Sequence, residues 1–238
     1  MRTFDIVIPA ANEASTIAPV IDAALRARGV GEVIVVDDHS EDETAAVASR
    51  SGARVVVSNG RREKAKAMAT GVAASSAQVL VFFDGDILHV RPEHFEALAE
   101  PVVEKFSMCC GLVDYGRLRN PLFLRLPPIT GLRAVRREVF EAIPPGRLNG
   151  FQIEIMINEV IARGGLPTAI RVLTGIDHRS KVQKEGLMKG IRSHTRMTVE
   201  LLSCFTFVPL WTYRSYLQSL EILPPVGSVS AHESEEAA

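Results

Sequence analysis

The chain has 238 residues, 47% of them hydrophobic, which suffices for one large domain, or one domain with an appendage, around a sizeable core. A formal net charge of −1 argues against a general nucleic-acid binder. Three cysteines, Cys109, Cys110 and Cys204, show no metal-ligand spacing, so a reducing compartment without a disulfide framework is expected.

Met1 to Asp5 leads straight into an apolar run with no signal peptide, and no run reaches the roughly eighteen apolar residues a membrane span needs. A cytoplasmic location is therefore expected. Residues 4–9 read as a first strand. Ser15 is placed as the N-cap of a helix carrying Ile17, Val20, Ile21, Ala24 and Leu25 at helical spacing. Residues 33–36 form a second strand that stops at Asp37-Asp38, and Ser40 with Glu43 predicts a capping box for the next helix. Residues 53–57 are a third strand and 64–74 a third helix. Residues 79–83 then make a strand buried on both faces, ending in Asp84-Gly85-Asp86.

Strand and helix alternate three times before this fourth strand. That pattern implies an α/β fold with a mostly parallel sheet and right-handed crossovers. The carboxyl ends of the strands then share one edge, where open sheets bind ligands, and Asp37-Asp38 and Asp84-Asp86 lie together on it. Two carboxylates about 4 Å apart repel by about 4 kcal/mol at an effective dielectric near 20. A cation is expected there, and oxygen donors of this kind suit Mg²⁺ or Mn²⁺, which keep positions open for phosphates.

Beyond Asp86, residues 92–104 read as a helix and 106–113 as a strand. Residues 117–128 read as a mobile loop over the site, and Thr130 to Arg133 as the approach to a helix near 136–142. A further helix follows at 150–163, a late strand at 168–173, and a largely helical stretch from 186 to 216. Residues 171–196 hold seven Lys and Arg against Asp177 and Glu185, and the run 201–211 is apolar and leads into Trp211, Tyr213 and Tyr216. This pairing suits packing on the core or a homodimer interface first, and an anionic membrane surface second.

Three segments now combine: Val7-Ile8-Pro9-Ala10-Ala11-Asn12-Glu13, then Val35-Val36-Asp37-Asp38-His39-Ser40-Glu41-Asp42-Glu43-Thr44, then Asp84-Gly85-Asp86. In order and spacing they resemble the landmarks of family 2 glycosyltransferases with the GT-A fold. The segment Thr130-Gly131-Leu132-Arg133-Ala134-Val135-Arg136 resembles that family's acceptor side. The resemblance implies a GT-A catalytic domain over residues 1–184; the residues themselves predict a C-terminal helical extension over 185–223 and, from its acidic, small-residue composition, a disordered tail over 224–238. It implies hexose transfer from a UDP- or GDP-sugar donor to a phosphorylated acceptor, with Mg²⁺ or Mn²⁺ as cofactor.

By the same resemblance Pro9, Ala10, Asn12, Glu13, Asp38, Lys64, Asp84, Gly85 and Asp86 would hold the nucleotide sugar. Glu13 and Asp38 would reach ribose and base, and Lys64 the base and diphosphate. Asp86 and His178 would hold the metal, Asp86 and Glu154 would be catalytic, with Glu154 as base, and Thr130, Gly131, Arg133 and Arg136 would bind the acceptor. Plainer readings stand beside these: Glu13 as an acid at a helix start, Lys64 as a solvated helix residue, His178 as a loop histidine, Arg136 as part of a solvated helix face. Ala11 stands where the family is often aromatic, and His39 and Ala65 where glycine is usual, which leaves the nucleotide base open. Ala11 and His39 also keep a degenerate, non-catalytic sugar-nucleotide binder as the alternative. The acceptor is expected to be a polyprenyl phosphate or a small phosphorylated acid such as 3-phosphoglycerate.

Overall fold

A computed structural model of the chain describes residues 3–125, 129–144, 153–178 and 210–227. In chain order these hold β1 (Phe4–Ala10), α1 (Ile17–Leu25), β2 (Val30–Asp37), α2 (Thr44–Arg50), β3 (Arg54–Val57), α3 (Lys64–Ala74) and β4 (Val79–Phe82). There follow β5 (Ile87–Leu88), α4 (Pro92–Glu104), β6 (Met108–Val113), α5 (Asn120–Phe123), β7 (Arg133–Arg136) and α6 (Arg137–Glu141). Last come α7 (Ile153–Gly164), β8 (Thr168–Leu173), β9 (Asp177–His178), α8 (Leu210–Gln218) and β10 (Leu220–Ile222).

The main sheet has eight described strands in the order β10-β8-β6-β7-β4-β1-β2-β3. Every neighbouring pair is parallel except those of β7, which runs antiparallel to both β4 and β6. The carboxyl edges of β1, β2, β3 and β4 therefore coincide, as the alternation of elements predicts, and β7 begins at that same edge. Alternate residues of β1 separate two cores. Ile6 and Ile8 join Ile17 and Ile21 of α1 and Phe95 and Leu98 of α4 on one face. Val7 joins Met68 of α3, Phe140 of α6, Ile157 of α7 and Tyr216 of α8 on the other. Fully burying side chains such as Phe82, Phe83 and Phe95 is worth about 1.5–3 kcal/mol each. Cys109 and Cys110 sit on opposite faces of β6 as buried free thiols, and burial pushes Cys109 up to about 12.

Several expectations need correction. The segment from Arg133 is a strand, not the approach to a helix, and the helix after it is shorter. α1 starts at Ile17 with Thr16, not Ser15, at the cap position, where Thr16 Oγ1 donates to the Glu13 carbonyl. Ser40 and Glu43 make no capping box: α2 begins at Thr44, whose N–H donates to Asp42 Oδ1 at 2.9 Å. The expected helical extension holds a strand, β10, which adds to β8. Part of the expected tail is also placed, Val226 donating its N–H to the Val172 carbonyl at 3.0 Å. The expected loop contains the short helix α5. Residues 126–128, 179–209 and 228–238, with Arg179 and most of the basic and apolar stretch, lie outside the described residues. Among the described residues no helix is long and apolar enough to cross a membrane.

Candidate active site

The loops after β1, β2 and β3 and the residue after β5 each hold one non-glycine residue in the left-handed conformation: Asn12 (φ 58°), His39 (φ 55°), Arg62 (φ 57°) and His89 (φ 59°). Such backbone costs about 1–3 kcal/mol per residue and gathers where surrounding contacts enforce it, often at functional sites. Here the enforcing contacts run between loops. Asn12 N donates to Ser40 Oγ at 3.1 Å, and Glu41 N donates to Asn12 Oδ1 at 2.8 Å. Glu13 N donates to Thr44 Oγ1 at 2.7 Å. His39 Nε2 lies 3.2 Å from the Ser58 carbonyl, so a histidine occupies a glycine-like backbone position with its ring secured.

Asp38 is buried at the end of β2. Its N–H donates to the Ala10 carbonyl at 2.8 Å, and its Oδ1 accepts from Arg62 N at 2.8 Å. Burial pushes its carboxyl above the usual range, and the Arg62 and Glu63 amides only partly offset that. Pro9 and Ala10 line the adjoining end of β1, Pro9 half-buried and Ala10 buried.

At the end of β4 the expected pair of free acids is instead a three-residue unit. Lys64 Nζ donates to Asp84 Oδ1 at 2.9 Å and pairs with Glu154 Oε1 at 3.1 Å. Burial works against the ammonium, but Asp84 and then Glu154 outweigh it and hold the lysine charged, above its ordinary range. Lys64 thus supplies a side-chain cation at Asp84. Lys64 is the first residue of α3, the positive end of the helix dipole, where a cation is disfavoured by about 0.3–1 kcal/mol. Helix stability does not explain it; the two carboxylates do. Gly131 lies against this unit, and a Cβ there would fall 2.6 Å from Lys64 Nζ and collide with the Asp84 carboxylate. Gly85 is hemmed in likewise: a Cβ would run into Glu13 Oε2. Glu13 thus reaches across to the Asp84-Gly85-Asp86 turn.

Asp86 is half-buried. The next residue, Ile87, pairs with His178 across the antiparallel β5–β9 ribbon. The chain therefore sets a carboxylate residue and an imidazole residue at adjoining positions. That oxygen-and-nitrogen set fits Mg²⁺ or Mn²⁺ with positions left for phosphate oxygens and water. Among the described residues no group of three or more His, Cys, Asp or Glu is placed to hold a metal.

The acceptor-side residues divide. Thr130 and Gly131 are at the site, Thr130 Oγ1 donating to the Gly111 carbonyl at 2.9 Å. Arg133 is fully buried beneath it. Its Nη2 and Nε donate to the Thr130 carbonyl at 2.7 and 2.9 Å, and its Nη1 reaches the Glu154 carbonyl and Asn158 Oδ1, both at 3.3 Å. It braces the site rather than touching an acceptor. Arg136 is away from it. In the antiparallel register Arg133 pairs with Phe82 and Arg136 with Val79, so Arg136 is about 10 Å along the strand, at the amino end of β4. There its Nε donates to the Phe106 carbonyl at 3.1 Å. Its expected acceptor role is incompatible with that register.

A model of the family described as Glycosyl transferase family 2 matches residues 5–149, more than half of the chain. The chain belongs to this family. It is 30% identical to glucosyl-3-phosphoglycerate synthase of Mycobacterium tuberculosis, over 76% of this chain and 68% of that one. A crystal structure of that enzyme in complex with Mn²⁺ and UDP-glucose matches with a TM-score of 0.70 at 29% identity, covering 85% of this chain and 79% of that one. Dolichol-phosphate mannosyltransferase of Pyrococcus furiosus is 27% identical over 83% of this chain and 63% of that one. The mostly parallel sheet flanked by helices is the GT-A fold of these neighbours, and the chain is a glycosyltransferase. Sequence reasoning reached the Asp38, Lys64, Asp84 and Glu154 positions. It missed Asn158, which carries no motif, and Arg62, whose contribution is a backbone amide.

Proposed function

We propose that this glycosyltransferase moves a hexose from a nucleoside diphosphate sugar, with UDP-glucose as the donor its relatives favour, to a small phosphorylated acid of the 3-phosphoglycerate kind. The observation that carries this reading is the Asp84–Lys64–Glu154 unit at the carboxyl edge of β4, with Gly131 packed against it. A permanently charged lysine held by two carboxylates suits a reaction in which negative charge grows on a leaving diphosphate. Asp38 accepts a hydrogen bond from the base through the oxygen not engaged by Arg62. Lys64 stays protonated and faces the reacting sugar and phosphate. Glu154, with Oε1 engaged by Lys64, takes the acceptor hydroxyl proton on Oε2 as the new C–O bond forms and the anomeric C–O bond to phosphate breaks. Asp86 and His178 would hold a divalent ion, which when bound would neutralise the charge on the diphosphate. Arg133 fixes the Thr130 carbonyl and the start of α7, so Gly131 and Glu154 meet Lys64 together.

A polyprenyl phosphate acceptor is the second reading. The Pyrococcus furiosus relative favours it, as do the exposed apolar residues Leu118, Phe123 and Ile129 in the segment between β6 and β7, interleaved in sequence with Arg117, Arg119 and Arg125. The degenerate-binder alternative loses one of its two supports, since His39 fits its left-handed position.

The test is thermal melting with UDP, GDP, ADP and TDP, with and without Mn²⁺. UDP with Mn²⁺ should raise Tm well above UDP alone, and Asp86→Ala should abolish the Mn²⁺-dependent part. Melting indifferent to every nucleotide in both proteins would remove the reading.

A further inference from the structure

The β5–β9 ribbon that brings His178 beside Asp86 consists of two residue pairs. A ribbon this short cannot define its own position in water, so something outside it must. His94, in the first turn of α4 and fully buried, is that anchor's centre. Arg91 N donates to His94 Nδ1 at 3.0 Å, which makes Nδ1 the acceptor and leaves the hydrogen on Nε2. Nε2 then donates to the Thr174 carbonyl at 3.1 Å. Burial lowers the His94 pKa and keeps the ring in this neutral form.

One ring therefore ties the two strands together at the Leu88–Asp177 end of the ribbon, the end away from Asp86. Arg91 lies just after β5, and Thr174 lies in the turn leading to β9. The C-terminal segment closes the same joint from outside. Thr174 N donates to the Val226 carbonyl at 2.8 Å, and a Cβ on Gly227, at φ 121°, would fall 3.1 Å from His94 Nε2 and collide with the Thr174 carbonyl.

We propose that His94 is a positioning residue for the metal site: by bridging Arg91 and Thr174 it sets the separation of Asp86 and His178. This rests on the metal reading given above. His94 occupies the third helical position, where Gln or Glu ordinarily closes a capping box. Glutamine can reproduce both contacts of the ring. Asparagine reaches only the Arg91 amide.

The experiment measures Mn²⁺ binding by electron paramagnetic resonance of the free ion, with UDP present and Mn²⁺–UDP alone as the blank. His94→Asn should weaken Mn²⁺ binding about tenfold, the scale of lost outer-shell support, while His94→Gln stays within about twofold of wild type. Gly227→Ala, which disturbs the same contact from the other side and leaves the cap intact, should weaken Mn²⁺ in the same direction. KM for the donor should rise as metal affinity falls, while Mn²⁺-independent UDP binding holds. Wild-type affinity in His94→Asn, or equal loss in His94→Gln and His94→Asn, would overturn the positioning role alone. If His94→Asn does not fold, Gly227→Ala decides, and wild-type Mn²⁺ affinity there would likewise overturn it. A wild-type protein that binds no Mn²⁺ would sink the metal reading and this inference with it.

Discussion

Asp38 carries opposite consequences for folding and for binding. Its carboxyl is raised by burial, so between the unfolded and folded values the native state holds more protons. Stability at this group is therefore greatest at low pH and is lost as pH rises through the folded value. In the proposed function, base recognition uses the ionised form. UDP affinity should thus fall on acidification at a higher pH than an ordinary carboxylate would give, and Asp38→Asn should flatten that dependence, as titration calorimetry across pH would show. An unchanged acid limb in Asp38→Asn would exclude Asp38 from the base site. At this scale the sequence was informative where a residue's chemistry is carried by its own side chain: Asp38, Lys64, Asp84 and Glu154. It was silent where the backbone does the work, as with the Arg62 amide on Asp38, and where burial reverses a role, as with Arg133. An arginine next to a glycine in an acceptor-like segment reads as a ligand-binding cation until packing encloses it.

Among elements, β7 decides which arginine belongs to the site. Because it runs against its neighbours, its first residue is at the carboxyl edge of β4 and its last is at the other end. Arg136→Ala should therefore leave KM for donor and acceptor unchanged while costing about 1 kcal/mol in chemical denaturation, the scale of its bond to the Phe106 carbonyl. A raised acceptor KM would contradict the placement. Long elements with a clear period were legible, α3 and α4 with the bounds the structure shows. β7 and β10 were not, for a physical reason. Strands of four and three residues carry too little alternation, and their pairing comes from β4, β6 and β8, remote in sequence. The Ser40 hydroxyl was equally ambiguous, since the same side chain can cap a helix or clasp another loop, and the Asn12 amide took it.

For the molecule as a whole, parallel crossovers deliver β1, β2 and β4 to one edge, and β7 returns a fourth segment to the same place. Asp84 after β4, Gly131 before β7 and Glu154 at the start of α7 then meet at Lys64, and the C-terminal strand β10 adds to β8. The central claim is that this edge performs acceptor-dependent hexose transfer. Release of UDP from UDP-glucose with Mn²⁺ and 3-phosphoglycerate tests it most directly, with the wild type and Lys64→Met compared. The account predicts UDP release that requires both the ion and the acceptor, and a loss of about 10²–10³-fold in kcat for Lys64→Met. No acceptor-dependent release by the folded wild type, or full activity in Lys64→Met, would contradict it.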